Sequence, residues 1–435
     1  MINPVKGTHD IIGSDAALYN FIEAYFRTYV GLCGFEDIKT PIIEHTPLFI
    51  RSVGESSDIV NKEMYTFLDK GGRSITLRPE LTAGVMRSIV SNKLFATNDL
   101  PMKFCYFGPC FRYERPQTGR FRQFHQLGIE IVGAKSYLDD VEAISTGYYS
   151  LVPLGIDDIK VKINSLGDEE SRQAYKKALK EYFQDKIENM CEDCKRRFEV
   201  NPLRILDCKV PSDIEIVKNA PKMSDYLTDE AKHHLELVLN QLDNIGIPYE
   251  IDENLVRGLD YYTGIVFEFH YDGLSEIGAI GGGGHYKNLL KEVGGPDLEG
   301  VGFSCGVERI EAVLKSHPDF TPPYRSLDFY VMAIGDNGVN IAYKSMMELR
   351  LNGYSCEMNT ENKSFKALFK TALRKNAKFA IIIGDDEIQS GEIAIKNLKT
   401  QTQTLAKIDS LVDVAKSLHF DYLQDEKNGG SSENE

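Results

Sequence analysis

Four tracts carry residue types that fit one chemistry. Residues 103–133 form two strand-like runs joined by a loop with Arg112, Arg115, Arg120 and Arg122 against a single acid, Glu114. Clustered guanidiniums repel one another unless an anion sits among them, and arginine's planar fork suits phosphate oxygens. A solvated basic loop is the bland alternative. In the second run Leu127, Ile129 and Ile131 alternate as a core face, while Phe124, Gln126, Gly128 and Glu130 alternate on the other. A strand face that mixes an aromatic ring, an amide, a carboxylate and bare backbone suits the wall of a ligand cavity. RPELTAG (78–84) sets Glu80 and Thr82 before a helical stretch, where Glu80 serves a helix terminus or an ammonium group. RGLDYYTGIVFEF (257–269) opens with Arg257 and paired tyrosines, Tyr261 and Tyr262, before a buried strand. Tyrosine combines an apolar ring with a hydroxyl, which fits a small polar ring in a pocket. GVGFSCGVERI (300–310) alternates glycines that let a flat ligand approach the backbone, then places Arg309 within reach of a base or phosphates.

The elements that position these tracts follow from periodicity. Residues 14–34 repeat apolar side chains at helical spacing and stop at Gly34. FEDIKTPIIEHT follows as a strand broken by Pro41, hence an edge or bulged strand, protective or used to meet a second subunit. Residues 166–250 have two polar helical stretches (168–189 and 228–245) and a Cys-rich turn, and read as an insertion. GGGGHY (281–286) lacks the strand–loop–helix context of a dinucleotide site. After a Pro-rich linker at 317–325, strands alternate with helices near 339–352 and 363–376, the pattern of a small α/β domain. Residues 421–435 are polar and expected to be disordered.

In this order the tracts resemble histidyl-tRNA synthetases, a family of class II aminoacyl-tRNA synthetases, from Val5 to about Phe420. The stretch around Pro41 is similar to class motif 1, FRYERPQTGRFRQFHQLGIEI to motif 2 and GVGFSCGVERI to motif 3. RGLDYYTG, RPELTAG and NPLRILDCK (201–209) make the match specific to the histidine family. One departure is clear: His285 and Lys287 stand where the family usually has arginine and aspartate.

The resemblance implies an α+β catalytic domain on a six-stranded antiparallel sheet (residues 1–165 and 251–320), a helical insertion domain (166–250) and a C-terminal α/β anticodon-binding domain (326–420). It implies a homodimer that activates histidine with ATP, accompanied by Mg2+, and then transfers the histidyl group to the histidine tRNA. By the same resemblance Glu80, Thr82 and Gln126 hold the substrate's α-ammonium, while Glu130 and Tyr262 bond its imidazole in a pocket lined by Tyr261. Arg112 and Arg257 act at the α-phosphate, Arg257 where related enzymes use a metal ion. Phe124 and Arg309 sandwich adenine, and Arg120 meets the distal phosphates.

Composition bounds the rest. The 435 residues carry 42% hydrophobic and 26% charged side chains, which excludes a disordered or collagen-like chain. No apolar run approaches the ~20 residues of a membrane span, and MINPVKGTHD lacks a signal peptide's apolar core, so a cytoplasmic protein is expected. A net charge of −15 excludes a general nucleic-acid coat. Residues 326–420, however, carry 12 Lys and Arg against 11 Asp and Glu. There Lys363, Lys366, Lys370 and Arg374 are expected on one helical face, opposite Phe365, Leu368, Phe369 and Ala372, as a phosphate-contacting stripe. The eight cysteines are expected as free thiols. Cys191, Cys194 and Cys208 have metal-like spacing but lack a fourth ligand unless His233 or His234 supplies it, so no metal is expected. Two rival readings are an inert paralogue that senses histidine and a class II synthetase for another amino acid. The retained Arg257 and C-terminal domain argue against the first, and acidic Glu130 against the second.

Overall fold

The computed structural model describes residues 2–54, 57–273, 278–318, 320–322 and 326–429. The chain divides into two compact units, residues 1–322 and 323–435.

The first unit is built on an eight-stranded sheet. In spatial order its strands are Glu36–Asp37, Met102–Phe111, Gln123–Val132, Gly300–Gly306, Ala279–Tyr286, Tyr262–Tyr271, Ile159–Ser165 and Tyr249–Ile251. The six central strands pair antiparallel throughout. Each edge adds one short strand in parallel, so the sheet is mixed and eight-stranded rather than six-stranded antiparallel. Pro41 explains one edge. Without an N–H it cannot continue a ladder, and the expected edge strand splits into Glu36–Asp37 in the large sheet and Ile43–His45 in a separate three-stranded sheet.

One face of the large sheet holds the main core. Leu127, Ile129, Ile131, Phe267, Phe269 and Phe303 pack there against the helix Gly13–Leu32, which contributes Leu18, Ile22, Phe26 and Val30 at helical spacing. Gly34, at φ +81°, takes the left-handed turn that ends that helix region, a conformation only glycine adopts cheaply. The other face meets the helix Thr82–Ser91 through Val85, Met86 and Ile89, together with Tyr106, Tyr262, Val266 and Tyr286.

Between residues 169 and 227 short helices enclose their own core, including Tyr175, Leu179, Phe183, Cys194, Ile205 and Met223. The helix Asp229–Asn244 behaves differently, because Val238 and Leu242 belong to the main core.

The second unit has a five-stranded sheet in the order Cys356–Met358, Leu327–Ala333, Ala377–Ile383, Glu392–Asn397 and Gln403–Lys407. The first three strands are parallel and the last two antiparallel. The final helix spans Leu411–Gly429, so residues 421–429, expected to be disordered, are helical. Residues 430–435 of that tail, and 319 and 323–325 of the expected linker, lie outside the described residues.

Candidate active site

A cavity opens on the face of the large sheet covered by Thr82–Ser91. Its lining includes Glu80, Thr82, Arg112, Arg120, Phe124, Gln126, Arg257, Tyr261, Tyr262 and Arg309. Ten of the eleven side chains to which the resemblance gives a substrate-binding or catalytic role therefore share one cleft. The exception is Glu130, which lies behind the wall.

Glu80 serves the helix terminus and also lines the cavity. Its carboxylate accepts the Thr82 N–H at 2.6 Å and the Ala83 N–H at 2.9 Å, as a helix-terminus acid does. It is 3% exposed. Burial pushes its carboxyl up, against those two N–H bonds.

Glu130 is ringed by hydroxyls. Thr82 donates to it at 2.6 Å, Tyr106 at 3.1 Å and Tyr286 at 2.8 Å. Burial pushes its carboxyl up to about 8 although all three bonds oppose the rise. Gly302 makes this possible, since a Cβ there would collide with the Glu130 carboxylate. Gln126 is held between the Cys110 thiol, which donates to Oε1 at 3.4 Å, and the Ser304 hydroxyl, reached by Nε2 at 3.4 Å. Tyr261 and Tyr262 pack with ring centroids 4.5 Å apart. Burial raises both phenols, which keeps them as neutral donors.

The cations come from three tracts, not from the loop alone. Arg112 donates from Nε to the Pro79 carbonyl at 2.8 Å and lies over the Phe124 ring at 5.2 Å. Arg120 approaches Glu114 at 3.7 Å. Arg122 instead stacks on Tyr113 at 3.8 Å, and neither it nor Arg115 lines the cavity. Arg309 donates to the Ala279 carbonyl at 2.5 Å. Burial, aided by neighbouring Arg120, lowers its guanidinium to about 10.

Arg257 pairs with Glu268, which also accepts from His270 Nε2 at 2.8 Å. Burial pushes the Glu268 carboxyl up, but Arg257 and His270 outweigh it and hold the acid at about 2. Arg257 Nε is buried and has no protein partner. Gly282 leaves the guanidinium its space, because a Cβ there would lie 2.7 Å from Nη1. The backbone at Arg257 is held by Arg204, whose Nη1 donates to its carbonyl at 2.8 Å.

Sequence reasoning missed Glu268 and the two tyrosines around Glu130. The signal for Glu268 was present as a lone acid inside the apolar run VFEFHY. Tyr106 and Tyr286 carried none, because only the sheet register brings them to Glu130.

His285 lies outside this cavity. Its ring bonds Asp140 at 3.0 Å and Glu299 at 2.9 Å, and Asp140 also accepts from His234 at 2.8 Å. Burial alone would lower the imidazole, but these two acids raise it to about 9. A protonated His285 thus supplies a cation where the family pattern has arginine.

In the second unit Lys366, Lys370 and Arg374 are exposed on the helix Phe365–Arg374. Lys363 is not on that helix. The chain enters it at the N-cap Ser364, and Lys363 pairs with Glu361 at 2.9 Å. Phe365, expected on the packed face, is 46% exposed and stacks on Phe369. Leu368 and Ala372 bury as expected. Lys396, on the neighbouring strand, lies over the Phe369 ring at 5.0 Å and extends the basic surface.

Comparison with known proteins gives one answer. Residues 7–310 match the histidyl-tRNA synthetase family model, and residues 328–418 match the anticodon binding domain. A histidine–tRNA ligase of Thermosipho melanesiensis is 48% identical over 412 residues, covering 95% of this chain and 98% of the relative. That of Bacillus subtilis is 43% identical over 417 residues, covering 95% and 98%. The crystal structure of apo histidyl-tRNA synthetase from S. aureus superposes with a TM-score of 0.81 at 36% identity, covering 96% of this chain and all of that one. With a catalytic fold, a cleft of matching residue types and relatives that align from end to end, the chain belongs to the histidyl-tRNA synthetase family.

Proposed function

We infer that this protein is a histidine–tRNA ligase that uses ATP to activate histidine and then esterifies the histidine tRNA. The observation that carries the reading is the convergence of four guanidiniums, two tyrosines and an amide on one cleft, with a buried Arg257 N–H left unpartnered.

In the first step a carboxylate oxygen of histidine attacks the α-phosphorus of ATP, the bond to the β-phosphate breaks, and pyrophosphate leaves. No side-chain nucleophile is needed. The protein must align the two substrates and neutralise charge as it builds on the phosphoryl oxygens. Arg257 and Arg112 take that role at the α-phosphate. Phe124 and Arg309 hold adenine between a ring and a guanidinium plane, and Arg120 meets the outer phosphates. Gln126, Thr82 and Glu80 receive the α-ammonium. Tyr262 meets one imidazole nitrogen directly, with Tyr261 lining the pocket. Glu130 meets the other when the Thr82 hydroxyl, now its partner, turns toward the substrate. In the second step a hydroxyl of the tRNA's terminal ribose attacks the acyl carbon and AMP leaves.

Magnesium is assigned to the phosphates of ATP. The cavity's four acids favour this over a resident cage, because Glu308 is bound by the His125 N–H, Glu268 by Arg257 and His270, Glu80 by two backbone N–H groups, and Glu114 faces Arg112 and Arg120. Magnesium there would draw negative charge from the departing pyrophosphate.

Residues 1–165 and 251–320 form the catalytic domain in this reading, 166–250 the insertion and 326–420 the anticodon-reading domain. The basic helix with Lys366, Lys370 and Arg374, joined by Lys363 ahead of it, contacts tRNA phosphate. The protein is a homodimer. Exposed Ile42, Ile43, Phe67 and Leu68 on and beside the small three-stranded sheet supply an apolar surface for the partner. It works in the cytoplasm. Among the described residues no helix is long and apolar enough to cross a membrane, and the eight free cysteines suit a reducing compartment.

Pyrophosphate exchange into ATP tests the reading directly. Exchange is expected only when histidine is present. Exchange driven by a different amino acid, and not by histidine, would overturn the substrate assignment.

A further inference from the structure

We propose that the insertion holds a structural zinc ion bound by Cys191, Cys194, Cys208 and Asp213. The four donor atoms lie within 4.8 Å of one another, although the residues span three separate local elements. Cys191 caps the helix Glu192–Val200 and Cys194 lies in its first turn. Cys208 follows the turn Pro202–Asp207, and Asp213 lies in the helix Pro211–Val217. The fourth donor is thus neither His233 nor His234. The latter is committed to Asp140.

Two of the donor spacings lie close to the edges of a zinc tetrahedron. With Zn–S near 2.3 Å, the tetrahedral edge between two sulfurs is about 3.8 Å, and an edge between sulfur and a carboxylate oxygen is about 3.6 Å. Cys191 Sγ and Cys208 Sγ are 3.8 Å apart, and Cys208 Sγ and Asp213 Oδ2 are 3.3 Å apart. A disulfide would need about 2.05 Å, and all three cysteines are free. Cys194 and Asp213 are fully buried and Cys208 nearly so, while Cys191 is partly open and gives an entry path.

The second shell is present as well. The Cys191 N–H donates to Asp213 Oδ2 at 3.0 Å and the Ser212 hydroxyl to Oδ1 at 3.2 Å, which fixes the carboxylate. Three thiolates and one carboxylate favour zinc over hard cations such as magnesium or calcium.

The ion has a structural task beyond the insertion. Cys208 ends the segment whose Arg204 holds the Arg257 carbonyl and whose Asn201 donates to Asp260 at 3.0 Å. Zinc would anchor that segment from behind.

The full-length chain, purified without chelator and desalted, is expected to carry about one zinc per chain by mass spectrometric metal analysis. Cobalt exchanged into the site is expected to give the intense visible bands and the sulfur-to-metal charge transfer of a tetrahedral thiolate centre. Cys208→Ser and Asp213→Asn should lose most of the metal. Cys208→His, which keeps a zinc ligand, should retain it, as should Cys33→Ser elsewhere in the fold. Wild-type protein without zinc and with only the pale spectrum of octahedral cobalt would overturn the proposal. So would a Cys191–Cys208 disulfide detected by mass, or Cys208→Ser and Asp213→Asn proteins that keep full zinc content.

Discussion

Arg257→Ala separates chemistry from folding. The guanidinium is 17% exposed and its partner Glu268 19% exposed, so the pair sits largely out of water. Breaking a buried ion pair costs about 3–5 kcal/mol. Here Glu268 keeps its His270 bond and some solvent, which brings the expected stability loss to about 1–3 kcal/mol. The rate effect has another origin. Loss of one preorganised cation at the α-phosphate is expected to lower exchange turnover ~10²–10³-fold, about 2.7–4 kcal/mol, as for other single transition-state donors. Turnover and kcat/KM should fall together, with the histidine KM little changed. The double variant Arg257→Ala/Glu268→Gln removes the uncompensated carboxylate. It should recover most of the urea midpoint and none of the rate. The reasoning fails if turnover of Arg257→Ala stays within about threefold of wild type, or if Glu268→Gln restores it.

Three further outcomes are expected. An acid held at about 8 when folded and near 4.3 when unfolded makes the folded state bind the extra proton, so Glu130 lowers stability as pH rises from about 4.3 to 8 and adds no slope beyond. Glu130→Gln should remove that slope, and the gap in melting temperature between variant and wild type should grow from pH 5 to pH 8; parallel curves would show that Glu130 is ionised throughout. Changing Lys366 and Lys370 together to Glu should weaken tRNA binding about tenfold or more while exchange without tRNA stays near wild type, and equal loss of both activities would point to misfolding. Ile43→Lys, at a side chain 50% exposed, should shift sedimentation toward monomer, and an unchanged wild-type dimer would move the interface elsewhere.

How much was legible in the sequence varied with the physical origin of each feature. The long helix at 13–32 and the strand at 123–132 follow from apolar spacing over enough residues to average out exceptions. The split at Pro41 was half visible. A missing N–H predicts an interrupted ladder, but which sheet each fragment joins depends on long-range pairing. The lysine stripe erred at Lys363 because a helix boundary turns on one capping residue, Ser364, which spacing does not reveal. Spacing alone groups the loop arginines as one cluster. Packing then sent Arg122 onto Tyr113 and brought Arg257 and Arg309 in from distant tracts.

Residue types and their order were sufficient to determine the family, the kinds of groups in the cleft and the division into a larger and a smaller unit. Those properties are local, or repeat along the chain, so they survive without coordinates. Only the tertiary structure decided what lies beside what: Glu130 behind the wall among three hydroxyls, Glu268 against Arg257, His285 between two acids outside the cleft, and Asp213 closing a ring of three sulfurs. Each contact joins residues whose meeting depends on how strands pair or helices pack, and so on the free energy of the whole fold rather than on any one stretch of sequence.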